Sequence, residues 1–114
     1  MKIQNVAPQM LYIMQNGNTN QYKIGITNNL NRRFKQLQTG CPGELKIIKI
    51  WTHTQREFIK KYELILHNYY TEKGQKIRPN GEWFTLTEEQ VKELCKPNGT
   101  KEQNQLVKKF LENF

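Results

Sequence analysis

At 114 residues the chain has the length of one ordinary domain, with room for a modest core and none for a second catalytic domain. Its 18 Lys and Arg against 10 Asp and Glu leave a formal charge of +8, spread along the chain, which points to a polyanionic partner over a merely soluble basic protein. Cys41 and Cys95 stand far apart without the spacing of a zinc site and read as reduced thiols. No run of about 18 apolar residues offers a membrane span, and the N-terminus carries no signal-like segment, so a cytosolic, membrane-free protein is expected.

Residues 1–9 read as a lead-in. An apolar run at 10–14, turn residues at 16–20 and a second run at 21–26 predict a β-hairpin. Period-two alternation in the second strand puts Tyr22, Ile24 and Ile26 on one face and Lys23 and Gly25 on the other, clearing that second face beside the glycine. Thr27 or Asn28 is placed to cap a helix over 28–38, with Leu30, Phe34 and Leu37 at helical spacing and Arg33 beside that stripe. After Pro42 and Gly43, residues 45–51 read as a third strand, short and rich in isoleucine.

From Thr54 to about Tyr70 the pattern predicts the longest helix, with Phe58, Tyr62, Ile65, Leu66 and Tyr69 on its buried face. Glu63 and His67, four apart, stack at its edge. Residues 73–81 form a polar loop, 82–86 a short strand or extended segment, and Thr87 with Gln90 a capping box that opens a helix to about Lys96. Pro97-Asn98-Gly99 ends that helix, and Thr100 with Gln103 starts a last amphipathic one within the extension 97–114, carrying Leu106, Val107, Phe110, Leu111 and Phe114 and expected to pack on the domain at 10–96. The expected class is α+β: a small three-stranded antiparallel sheet flanked by helices, with an additional C-terminal helix.

The order Tyr12, then Tyr22-Lys23-Ile24-Gly25, then Arg33, Glu63 and Gly81-Glu82-Trp83-Phe84 resembles the GIY-YIG endonuclease superfamily. Within it, the pattern is most similar to the small branch named for a phage open reading frame. The resemblance implies a DNA-binding protein and a DNA endonuclease that uses Mg2+ or Mn2+; a monomer is favoured over a dimer separately, because the stripe of the last helix is expected on the domain. It assigns Tyr12 to the attacking water, Arg33 to the phosphate and Glu63 to the metal. His67 falls in the branch's pattern as a proton shuttle or as a satisfied core-edge histidine, and Glu82 falls near the site, with Trp83 and Phe84 as core anchors. The chain departs from the pattern in two respects. Lys23 stands where the second motif has tyrosine, as is usual in the branch, and Met10 and Leu11 replace the first motif's leading glycine and isoleucine. For the family's terminal asparagine Asn80 is the candidate. Lys23 is expected to neutralise phosphate or act as a base, with Arg32, Arg33 and Lys35 adding positive charge for DNA. The other class of reading is a DNA-binding module of the same fold without turnover. A carboxylate at Glu63 favours catalysis, since beside DNA it repels the backbone. Lys23 favours the module.

Overall fold

A computed structural model of the protein describes residues 9–52, 56–78 and 81–95. Most of the expected lead-in, the expected C-terminal extension at 97–114 with its helix, and Asn80 lie outside the described residues.

Strands β1 (Met10–Asn16) and β2 (Gln21–Thr27) form the antiparallel hairpin, turned by Gly17 at φ 57, where a side chain is disfavoured. Its register sets Tyr12 opposite Gly25 and Met14 opposite Lys23. Strand β3 (Leu45–Thr52) pairs with the other edge of β1. The sheet has four strands, not the expected three: β4 (Trp83–Thr85) pairs with Gln21–Lys23, giving the order β3-β1-β2-β4. A strand of only 3 residues cannot declare itself by alternation, so its membership is decided by the distant partner it meets.

Helix α1 (Leu30–Thr39) is capped by Asn29, whose side chain accepts a hydrogen bond from the Arg32 amide at 3.1 Å, rather than by Thr27 or Asn28. Thr27 Oγ1 instead accepts from the Asn29 amide and fixes the cap itself. Helix α2 (Arg56–Glu72) buries Ile59, Leu66 and Tyr70, with Tyr62 and Tyr69 packed against them, while Phe58 is only half-buried. Helix α3 (Glu88–Cys95) opens on the expected capping box: the Gln90 amide donates to Thr87 Oγ1 and the Thr87 amide to Gln90 Oε1.

The sheet separates two apolar clusters. On one face Leu11, Ile13, Tyr22, Ile24 and Phe84 meet α2 and Leu94 of α3. On the other, Tyr12, Met14 and Leu45 meet Leu30, Phe34 and Leu37 of α1, with Trp83 at the border. Tyr22 therefore faces the larger core, as the alternation predicts.

Candidate active site

The site grows out of the smaller face. Tyr12 is fully buried there, and its ring lies across the position a side chain at residue 25 would fill: a Cβ on Gly25 would stand 2.5 Å from Tyr12 Oη. Only glycine leaves the phenol in that place. From α1, Arg33 Nε donates a hydrogen bond to Tyr12 Oη at 3.3 Å. That bond occupies the oxygen as an acceptor and leaves the phenolic O–H free to donate. Burial pushes the Tyr12 phenol above its ordinary range, outweighing the downward pull of Arg33. The same hydrogen bond raises Arg33 further, so its guanidinium is a fixed cation.

Next to Gly25 on this face, Lys23 is buried and pairs with Glu82 at 3.2 Å, its ammonium 5.7 Å from the centre of the Trp83 ring. The pairing follows from register, since Lys23 lies opposite Trp83 and Glu82 immediately precedes it.

Because β4 ends opposite Lys23, the outer edge of β2 at Ile24 is closed by other groups. The Ile24 amide donates to the Glu82 carbonyl at 3.1 Å, and the Ile24 carbonyl lies 2.7 Å from His67 Nε2 of α2. A carbonyl only accepts, so Nε2 carries the proton and Nδ1 is the ring's free lone pair. Burial lowers His67, against the opposing effects of the Ile24 carbonyl and Glu82. With its ring roughly perpendicular to that of Phe84 and the ring centres 4.9 Å apart, His67 is a clasp between helix and strand.

Glu63 lies one helical turn before His67. It is half-buried, and its Oε2 has no hydrogen-bond partner. Burial first, and then the charge of Glu82, push its carboxyl up to about 7, with Lys23 opposing. Glu63 and Glu82 also act on Tyr12. Tyr12, Lys23, Arg33, Glu63 and Glu82 thus form one electrostatic neighbourhood around Gly25.

Lys35 stands apart, exposed and about 200° around α1 from Arg33. Arg32 is exposed on the same helix, where it lines a cleft with Arg33, Arg56 and Gln9. Gln9 and Arg56 are absent from the sequence reading. Arg56 lies at the exposed start of α2, and only the fold brings it to α1. Glu82 was expected near the site, but its partnership with Lys23 depends on the β2–β4 register. Among the described residues no group of three or more His, Cys, Asp or Glu is placed to hold a metal ion.

These features define a small α+β domain with a charged, partly buried centre gathered around β2 of its sheet. The chain belongs to the T5orf172 domain family, whose model matches residues 9–98, the phage-type family expected from the sequence. No curated protein and no solved structure matches it.

Proposed function

We propose that the protein binds DNA and hydrolyses its phosphodiester bonds with Mg2+ or Mn2+, in the manner of GIY-YIG endonucleases. The observation that carries this reading is the gathering into one electrostatic neighbourhood of a buried tyrosine, a fixed cation on its hydroxyl and, from α2 at the strand's edge, a carboxylate with an unpartnered oxygen. Packing alone gives no reason for Glu63 to bury an oxygen without a partner, since such an atom carries a desolvation cost of about 1–3 kcal/mol.

That orphaned oxygen fits a hard divalent cation, which takes oxygen donors and keeps several waters, so one or two carboxylates suffice. Glu63 would hold it, with Glu82 beside it, and the mutual repulsion of the two carboxylates is what a cation relieves. Held there, such an ion would supply Lewis acidity and charge neutralisation for the displacement. The chain's own residues then have separate roles. Arg33 presents its fork to a phosphate oxygen. Tyr12, held by Arg33 and kept as a phenol by burial, donates its O–H to orient the attacking water or the phosphate. Lys23 limits the negative charge that Glu82 and Glu63 build up.

A non-catalytic DNA-binding module is the second reading, supported by Lys23 being occupied by Glu82. Incubation of the purified protein with supercoiled plasmid, with Mg2+, with Mn2+ and with chelator, separates the two. Nicked or linear product only with metal is expected. Retarded plasmid without conversion supports the module, and no retardation and no conversion contradicts both.

A further inference from the structure

Beside the site, at the start of α1, opens a cleft of about 360 Å3 whose lining includes Gln9, Asn28, Arg32, Arg33, Gln36 and Arg56. It is unlike the rest of the surface in one respect: three guanidiniums share it, and no carboxylate lines it. Arg56 Nε donates to Gln9 Oε1 at 3.2 Å, which anchors its stem and leaves the terminal amino groups of its fork. Neither Arg32 nor Arg56 is ion-paired with a described carboxylate, the pairs being Lys23 with Glu82 and Lys60 with Glu57. Gathering like charges into one polar hollow is unfavourable unless an anion enters. Arg33 belongs both to this cleft and, through Tyr12, to the site, so the two are contiguous.

We propose that this cleft is a second phosphate site. Arg32 and Arg56 would grip the backbone phosphate that neighbours the one facing Arg33 and Tyr12, fixing the register of the strand across the site. The inference rests on the DNA reading above and adds to it the direction of the strand: from Gly25 past Arg33 toward the start of α2. Arg56 reaches the cleft from a different element than Arg32, so the pair forms a clamp rather than a diffuse basic helix face. Side-chain amides of Gln9, Asn28 and Gln36 add neutral donors that suit phosphate oxygens.

The test is binding of a labelled DNA duplex across a salt series without metal, so that binding is read apart from cleavage. Arg32→Gln/Arg56→Gln should weaken binding about 10-fold or more, as for lost hydrogen bonds to a charged group. It should also flatten the log–log salt slope by about 0.9, the value for one phosphate contact. Arg32→Lys/Arg56→Lys should keep the slope, and Lys92→Gln on α3 should leave both quantities unchanged. Arg32→Gln alone, at a side chain with no described partner, should show part of the loss with a parental melting temperature. Inorganic phosphate at constant ionic strength should compete no better than sulfate. Selective displacement by it would assign the cleft to a free anion and overturn the strand clamp. Parental affinity and slope in the Gln pair, in a protein that binds DNA, would overturn the clamp alone. A parent that does not bind DNA would overturn the functional reading, and the clamp with it.

Discussion

The face of β2 that carries Tyr22 and Ile24 and the face that carries Lys23 and Gly25 are built from alternate residues of one strand, yet they are packed on different terms. The first is sealed by α2, α3 and Phe84 into a continuous apolar cluster. The second gives up a side chain at Gly25, buries an ammonium at Lys23 and places a phenol where a Cβ would go. Helix α2 serves both: Ile59, Leu66 and Tyr70 belong to the sealed core, while Glu63 and His67 turn to the strand's edge. Stability is concentrated on one face, and the other carries unfavourable polar burial, as expected where chemistry requires groups that packing alone would not select.

The comparison breaks most sharply at Gly25. Gly25→Ala sets a Cβ 2.5 Å from Tyr12 Oη, and a fully buried ring has little room to yield. Displacing a positioning group by about 1 Å costs on the order of 10²-fold. Cleavage should fall at least that far, with folded protein retained, and single-turnover rates check it. A parental rate would mean that Tyr12 takes no part.

Lys23→Met removes the partner of Glu82 and the charge that restrains Glu63. Cleavage should fall, and the acidic limb of the remaining pH–rate profile should move to higher pH, because Glu63 loses the ammonium that opposes the rise of its carboxyl. Tyr22→Phe, one position away but in the sealed core, should cut at close to the parental rate. The reverse order of effects would exchange the roles of the two faces.

At the strand's edge the expected loss is one of stability. His67→Ala leaves the Ile24 carbonyl without its ring donor, costing about 1–3 kcal/mol in a denaturant titration. His67→Gln, which keeps an N–H donor, should recover part of it. Full recovery of stability together with full activity would make the clasp structural only, while lost activity in a stable His67→Gln would give Nδ1 a part in proton transfer.

The smallest effect concerns pH. Glu63 binds its proton more tightly folded than unfolded, being raised from 4.5 to about 7, so its ionisation costs the fold nothing below 4.5 and stability is lost progressively as pH rises from 4.5 through about 7. Glu63→Gln should therefore melt higher than the parent above pH 7 and nearly with it below 4.5. Equal melting at both ends would mean that the carboxylate is not desolvated.

Local features were legible in the sequence. The hairpin, the alternation that separates Tyr22 from Lys23, the stripe Leu30, Phe34 and Leu37 and the Thr87–Gln90 box depend on neighbours along the chain, so spacing reveals them. Contacts between distant segments were not. Whether β4 joins the sheet depends on Phe84 meeting Tyr22, and the Lys23–Glu82 pair follows from that register. Asn29 displaced Thr27 and Asn28 as the cap because Thr27 is spent on the Asn29 amide, a choice among adjacent polar residues that spacing does not resolve. The raised carboxyl of Glu63 and the arginine cleft arise from burial and from helices brought together in space, for which a linear pattern carries no signal.

The central claim is that Glu63 is kept unpartnered to serve a divalent cation during DNA cleavage. Cleavage of supercoiled plasmid by Glu63→Gln in Mg2+, measured beside its DNA affinity, tests it directly. The account predicts loss of cleavage with affinity nearly unchanged, since glutamine keeps the shape and removes the charge that binds the ion. Parental cleavage by Glu63→Gln would contradict it.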